Sequence, residues 1–316
     1  MKDTALLELV RELLISEVAF QELFKKYRRG KLRFSDIASW VDDQGHSLLF
    51  RLKELSHRLF RNQNKKAFRD EEGLLDLVIG SIFHEAMKLR ENVYQLESYR
   101  PRYFQYKTRI KKREYEKNYL HQFERIITRA EEGVLVGMAE THSLFHDAME
   151  QLIDLFKTHS KDPSWVRFLV DHQNLLKKIY GSKKTKEIFQ TMFENGISEA
   201  YLLAGQSYLE SEHYDLSSYY FSKALRSDSQ KMEIPFLLHF SQGMDAYFKN
   251  AYSKVIAIWE GLLRSPIHKG FKKIYIKKME EVCRKIFNEL EEEKRSPLAR
   301  KAKALADQMS KMLRWI

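Results

Sequence analysis

Carboxylates and histidines at helical spacing are the first residues in this sequence that could do chemistry. Glu54 and His57 form a Glu-x-x-His pair, which places two metal ligands on one face of a helix. His142, His146 and Glu150 follow one another at spacings of four and also share a face. A helical bundle that holds two iron ions needs a second such pair, and the first 160 residues contain none. We therefore expect no metal site and interpret these histidines as ordinary surface and bundle residues.

The single cysteine and the known phosphate-binding patterns offer no better candidate for catalysis. Cys283 lies beside Val282 and Ile286, where a small apolar core residue is expected. The G-x-S-x-G elbow is absent, as are the patterns G-x-x-x-x-G-K-[ST] and G-x-G-x-x-G that cradle phosphates. The sequence thus predicts a protein that is not an enzyme, with no catalytic residues and no cofactor.

Basic and aromatic residues are interleaved between Tyr99 and Tyr119. The basic residues are Arg100, Arg102, Lys107, Arg109, Lys111, Lys112, Arg113 and Lys117, and the rings between them are Tyr103, Phe104, Tyr106 and Tyr115. Positive charges beside stackable rings can engage single-stranded nucleic acid or an acidic protein surface. We predict a basic contact surface centred on Arg109, Lys111, Lys112 and Arg113. The alternative is a solvated helix face whose tyrosines cover the bundle.

A second basic stripe lies near the C-terminus. Lys269, Lys273 and Lys277 recur at spacings of four and so share one helical face. We include them in the basic contact surface, although an ordinary amphipathic helix is the simpler account of them.

The elements that position these residues are predicted to be helices. Among 316 residues only 12 are glycine and 5 are proline, and alternating runs of Val, Ile and Thr are missing. The chain is long enough for two domains with substantial cores. Its formal net charge of +11 attracts acidic partners at long range without specifying one.

The N-terminal half is predicted to be a bundle of long helices, with a domain that covers residues 1–160. Apolar spacing predicts a third helix that ends before Pro101, because a proline restricts the residue before it. From residue 102 to 159 either one very long helix or two helices joined between Glu131 and Gly137 fit the pattern, and we favour two. Charged residues interrupt the apolar N-terminus, so neither a signal peptide nor a membrane span fits. We expect a cytoplasmic protein.

The C-terminal half contains an internal repeat. Tyr201, Ala204, Gly205 and Tyr208 are followed by Ser217, Phe221 and Ala224. A second copy begins at His239, Gln242, Gly243 and Ala246 and continues with Val255, Trp259 and Leu262. Gly243 follows Gly205 by 38 residues. The pattern resembles W-x2-L-G-x2-Y of the tetratricopeptide repeat, over roughly residues 198–266. The resemblance implies an array of helical hairpins, and we predict a second domain over residues 163–316.

In tetratricopeptide repeats the first helix of each unit lines a concave groove, so the resemblance implies a partner-binding site. Its residues would be Leu202, Gln206, Leu209, Phe240, Met244 and Tyr247. This set is mostly apolar and has no lysine or arginine clamp. It would hold an apolar helix or extended segment, either from a partner or from the C-terminal helix of this chain.

Taken together, these patterns predict an all-α protein whose long-helix bundle is followed by a tetratricopeptide-like array. The predicted function is that of a non-enzymatic adaptor or scaffold that holds another protein in its groove. The alternative is a nucleic-acid-binding or regulatory factor that acts through its basic helix faces. Assembly into a homodimer remains open.

Overall fold

The computed structural model of the chain describes residues 2–42, 47–60, 71–109, 114–227, 233–264, 273–292 and 296–314. These ranges form thirteen helices and no strand, which confirms the predicted all-α class. The chain divides into two compact units, and each contains two stretches of sequence. The first unit comprises Met1–His159 and His172–Thr185, and the second comprises Ser160–Asp171 and Lys186–Ile316.

Long helices build the first unit. They are α1 (Lys2–Arg28), α2 (Phe34–Val41), α3 (Leu48–Phe60), α4 (Glu71–Arg109), α5 (Glu114–Thr158) and the part of α7 (Gln173–Met192) up to Thr185. Phe20, Trp40 and Phe145 bring three helices together in the core, with ring centroids 5.2 to 6.0 Å apart. Large buried rings of this kind dominate the energetics of a core.

The structure corrects the end predicted for the third helix. Pro101 lies inside α4, which continues to Arg109. A proline removes one helical hydrogen bond, but the residues around it keep the helix in contact with α5. The Tyr99 ring packs on Phe123, and the Tyr103 hydroxyl donates a hydrogen bond to Glu124 at 2.8 Å. These tertiary contacts override the local preference for a helix end.

α5 is one helix, so the break that we favoured between Glu131 and Gly137 is wrong. Both glycines of this stretch face α4. A Cβ on Gly133 would lie 2.5 Å from the Asn92 amide nitrogen, and a Cβ on Gly137 would lie 3.5 Å from Leu89. Gly133 therefore lets α4 and α5 approach closely, whereas the distance at Gly137 is an ordinary contact, and neither glycine ends the helix.

Residues 172–185 belong to the first unit, whereas the sequence predicted that a second domain begins at residue 163. The Tyr180 hydroxyl donates a hydrogen bond to the Met149 carbonyl oxygen at 2.7 Å, and the Lys184 ammonium lies 2.5 Å from the Glu150 carboxylate. These contacts attach the first part of α7 to α5. No local sequence pattern reports such contacts between residues about thirty positions apart.

Short helices build the second unit. They are α6 (Pro163–Asp171), α8 (Ile197–Glu210), α9 (Tyr214–Ser227), α10 (Glu233–Phe248), α11 (Tyr252–Arg264), α12 (Lys273–Glu292) and α13 (Ser296–Leu313), with the end of α7. From α8 onward, consecutive helices pair as hairpins: α8 with α9, α10 with α11, and α12 with α13.

Two of these hairpins repeat the same packing at the positions that the sequence singled out. A Cβ on Gly205 would lie 2.7 Å from the Phe221 ring, and a Cβ on Gly243 would overlap the Trp259 indole. Each glycine therefore admits a large ring from the second helix of its hairpin. The turns repeat as well: Glu212 and Asn250 both adopt a left-handed conformation, with φ of 58° and 55°. The geometry thus repeats with the sequence, while membership of the tetratricopeptide family remains a prediction.

Candidate interaction surfaces

Most of the predicted groove residues are in the interior of the second unit. Phe240 and Met244 are only 3% and 1% exposed. Leu202 and Leu209 are also buried, and Gln206 and Tyr247 are half-buried. An open groove requires these side chains at the surface, so the structure corrects the groove prediction for the four buried residues.

Neighbouring helices account for this burial. The Phe240 ring stacks on Trp259 of its own hairpin, with centroids 6.5 Å apart, and meets Tyr275 of α12 at 5.0 Å. The sequence left open that the C-terminal helix of the chain fills the groove, but the ring that covers Phe240 belongs to α12. Register alone could not reveal this, because it does not show where the next hairpin packs.

The second basic stripe is partly within the described residues. Lys273 and Lys277 are exposed on α12, whose opposite face buries Ile276 and Met279. This is the amphipathic arrangement that the sequence allowed as the simpler account. Lys269 lies outside the described residues.

The first basic stretch lies at the far end of the α4–α5 hairpin. Arg109 is the last residue of α4, and Lys111, Lys112 and Arg113 lie outside the described residues. The residues around them define the strongest candidate surface of the chain. We call residues 94–109 of α4 and 114–126 of α5 the arm.

The arm has no core of its own. None of its described side chains is buried, and the nearest buried side chains along the two helices are Val93 and Ile127. The sixteen arm residues of α4 extend about 24 Å at the helical rise of 1.5 Å per residue. A two-helix segment of this length therefore contributes little apolar burial to the fold.

Aromatic and polar contacts join the two helices of the arm. The Tyr106 ring stacks on Phe123 with centroids 5.6 Å apart, and Tyr103 donates to Glu124. This hydrogen bond helps to lower the pKa of the Glu124 carboxyl, and the Tyr103 hydroxyl raises the pKa of the Lys107 ammonium beside it. The charged forms of both groups are thus favoured at neutral pH.

The surface of the arm is basic and carries exposed rings. The sequence from residue 94 to 126 contains nine lysines and arginines against four glutamates. Phe104 and Tyr119 are 55% and 64% exposed, and Arg102 and Lys107 are exposed close to Phe104 in the sequence. Concentrated charge of one sign attracts partners of the opposite sign over about 10 Å at moderate salt.

The loop between α1 and α2 lies beside the base of the arm. Gly30 ends α1 with φ of +65°, and its N–H donates to the Tyr27 carbonyl oxygen. The Phe34 N–H donates to the Glu97 carboxylate at 2.6 Å, which ties the loop to α4. Sequence reasoning missed this region, although the six lysines and arginines between residues 25 and 33 were a visible signal.

A cavity of about 870 Å³ with several charged and polar lining residues lies between α3, α4 and α5. The Ser56 hydroxyl donates a hydrogen bond to Asp76 at its wall. Glu85 lies 2.6 Å from the Lys88 ammonium, which lowers the pKa of Glu85, whereas the hydrogen bond and repulsion from Glu85 raise the pKa of Glu140. These groups satisfy one another, and their contacts do not specify a ligand.

The histidines and carboxylates noted in the sequence are not assembled into one site. His57 lines the cavity between α3, α4 and α5, while Glu54 pairs with Arg58. The His142 ring stacks on Phe24, and His146 is exposed. Within the described ranges no three His, Cys, Asp or Glu side chains are placed to hold a metal ion.

Burial also determines the state of the single cysteine. It raises the pKa of the Cys283 thiol to about 12, so the thiol stays protonated at neutral pH.

None of the helices described is both long and apolar enough to cross a membrane.

Comparison with known proteins identifies no relative. No family model matches the chain, no curated protein matches its sequence, and no solved structure matches its fold.

Proposed function

We propose that this chain is a non-enzymatic adaptor that holds another protein and that the arm is its contact with that partner. The observation that carries the proposal is the absence of buried side chains among the described residues of the arm. Ordering so many residues opposes folding by about 1 kcal/mol or more each, and little burial offsets it. A binding role explains why this segment is kept helical and highly charged.

An acidic protein surface is the partner that best complements the arm. Arg102 and Lys107 are exposed on α4, and the surrounding sequence has a large excess of positive charge. The exposed Phe104 and Tyr119 rings provide apolar contact area beside these charges. Aromatic and arginine side chains are also the residues that most often dominate protein–protein binding energy.

The second unit supplies the rigid part of the proposed adaptor. Its hairpins bury rings against glycines, as at Gly205 and Gly243, and we propose on this repeat that they are tetratricopeptide-like. In this proposal the protein works in the cytoplasm, and the arm replaces the groove as the principal binding site.

Single-stranded nucleic acid is a second candidate for the same surface. Phe104, Tyr106 and Tyr119 are exposed rings among basic residues, and such rings can stack on bases. Phosphate contacts would make the affinity fall steeply with salt concentration. A cross-linking experiment that identifies the bound molecule as protein or nucleic acid separates the two candidates.

Site-specific photo-cross-linking in the native cell tests the proposal. A photoreactive phenylalanine analogue at Tyr119 should form adducts that protease removes and nuclease does not. The same analogue at Phe248, which is 62% exposed in the second unit, is the matched control and should give few adducts. Adducts that only nuclease removes would favour the nucleic-acid candidate.

Charge reversal provides the second part of the test. The double variant Arg102→Glu and Lys107→Glu should reduce the protein adducts at Tyr119 by about ten-fold, because like charges then face an acidic partner. The control variant Lys301→Glu and Lys311→Glu makes the same change of charge on exposed positions of α13. Equal adduct yields in the two variants would contradict the proposed role of the arm.

A further inference from the structure

Two neighbouring cavities lie at the base of the arm and share Gly30 and Leu32 as lining residues. The first has a volume of about 630 Å³ and a mainly apolar wall, to which Leu96, Pro101 and Phe104 contribute. The second has a volume of about 600 Å³. Both volumes fall in the range of about 300 to 1,000 Å³ that is typical of ligand sites.

Basic residues dominate the second cavity. It is lined by Lys26, Arg29, Lys31 and Arg33, with Asp36 as the acidic residue. Asp36 is already engaged, because its carboxylate lies 2.8 Å from the Lys26 ammonium and 3.6 Å from the Arg33 guanidinium. Arg29 and Lys31 are exposed, and no carboxylate of the described residues lies within ion-pair distance of either. Two positive charges are therefore available to a ligand.

The loop that lines both cavities is held in place. Besides the hydrogen bond from the Phe34 N–H to Glu97, the Phe34 ring meets Tyr94 of α4 edge-on, with centroids 5.7 Å apart. A site that is already ordered loses less entropy when it binds. The apolar and basic cavities are thus presented together without a rearrangement of the loop.

We propose that these two cavities form one docking site for a short acidic peptide segment of a partner protein. An apolar side chain of the segment occupies the first cavity, beside Phe104, and its carboxylates pair with Arg29 and Lys31. This inference rests on the proposed function, since it specifies the chemistry of the partner that the adaptor holds.

The lining favours a peptide over the other anionic ligands. Most of the apolar lining is aliphatic and only Tyr27 and Phe104 contribute aromatic rings, so the cavity suits an apolar side chain better than it suits stacked bases. Glu97 and Arg100 also line the apolar cavity, where Glu97 accepts from the Phe34 N–H and Arg100 lies 3.5 Å from Glu131, and a peptide presents donors and acceptors that suit both signs of charge. An acyl chain offers neither.

Fluorescence anisotropy with the full chain tests the docking site. The probes are short labelled peptides in which one phenylalanine, leucine or tryptophan stands between runs of glutamate. At least one of these should bind, and Phe104→Ala should weaken that binding by about ten-fold through lost apolar contact. The matched control is Phe248→Ala, which removes a ring that is 62% exposed in the second unit and lines neither cavity.

The basic half of the site has its own variant pair. Arg29→Ala with Lys31→Ala should weaken peptide binding about three- to five-fold at low salt, and the difference should shrink as salt screens the charges. Lys25→Ala with Arg28→Ala removes two exposed charges from the same end of α1, outside both linings, and should have a smaller effect.

Three results would overturn the inference. The first is that no acidic peptide binds, and the second is that all variants bind the peptides equally. The third is that the binding of an oligothymidylate or oleate probe depends on these residues while the binding of the peptides does not. Such a result would leave the protein adducts at Tyr119 untouched, so the proposed function would survive it. The opposite combination is also informative. If peptide binding required Phe104 and Arg29 but no protein adduct formed at Tyr119, the contact would lie at the base of the arm alone.

Discussion

The α10–α11 hairpin and the α4–α5 hairpin both use a glycine to bring two helices together, but they place different groups against it. Gly243 faces the Trp259 indole, whose side chain is fully buried. Gly133 faces the amide of Asn92, a shorter and half-buried side chain. Beyond this point the long hairpin continues into the arm, where no described side chain is buried. The short hairpin thus has a packed interior, whereas the outer part of the long hairpin has none among its described residues.

This difference has an energetic consequence. Close-packed interiors respond strongly to an added methyl group, because neighbouring rings cannot move aside. Exposed surfaces tolerate substitution, usually within about 0.5 kcal/mol. The comparison therefore predicts a graded series of effects along the chain.

Within the two hairpins, the largest effect is expected for Gly243→Ala. The new Cβ overlaps the Trp259 indole, so the second unit should lose about 3 kcal/mol of unfolding free energy. Urea denaturation followed by tryptophan fluorescence measures this loss. Gly261→Ala on α11 is the matched control, because a Cβ there meets no atom within 4 Å of the described structure. The control should stabilise the helix by up to about 1 kcal/mol. Equal effects of the two substitutions would refute the packing role of Gly243.

A pH-dependent effect is expected in the core of the first unit. Glu17 is 5% exposed, and burial raises its pKa from 4.5 to about 7. Between pH 4.5 and about pH 7 the Glu17 carboxyl is ionised in the unfolded chain and protonated in the folded chain, so the free energy of unfolding falls as the pH rises. Above pH 7 the loss is complete, at about 3 kcal/mol.

The variant Glu17→Gln tests this assignment. It should stabilise the first unit by about 2 to 3 kcal/mol at pH 8 and change it little at pH 4.5, as measured by urea denaturation at both values. Glu22→Gln, an exposed position on the same helix, should show no gain at pH 8. A Glu17→Gln variant with the same pH dependence as the parent chain would mean that another group titrates.

A smaller effect is expected for Gly133→Ala in the long hairpin. The Cβ approaches the Asn92 amide to 2.5 Å, but that amide can rotate about its own side-chain bonds. The helix-forming advantage of alanine offsets part of the strain, so the net change should stay within about 1 kcal/mol. A loss as large as that of Gly243→Ala would show that both hairpins are packed with equal rigidity.

The sequence predicted the features that depend on local pattern. The all-α class follows from composition, and the repeat spacing singled out Gly205 and Gly243, each of which lies against a large ring. Contacts between distant residues were not accessible in this way. α4 passes Pro101 because Tyr99 and Tyr103 contact α5.

The same limit explains which of the candidate surfaces could be predicted from the sequence. The sequence found the basic stretch that became the arm, because charge and aromatic content are visible residue by residue. It placed Phe240 in an open groove, although α12 covers this ring through Tyr275. It also missed Arg29 and Lys31, since only the fold brings the α1–α2 loop next to Pro101 and Phe104.

The smallest effect on stability is expected for the exposed rings of the arm. Phe104→Ala and Tyr119→Ala remove rings that are more than half exposed, so each should change the unfolding free energy by no more than about 0.5 kcal/mol. Phe20→Ala, which empties a fully buried position in the same unit, should cost about 3 to 5 kcal/mol and serves as the reference. Urea denaturation of the three variants measures both values. Under the proposed function, partner cross-linking should follow the opposite order, because this proposal assigns the arm to binding rather than to the core. If Tyr119→Ala destabilised the first unit nearly as much as Phe20→Ala, the arm would be a structural element, and the contrast between the two hairpins would fail.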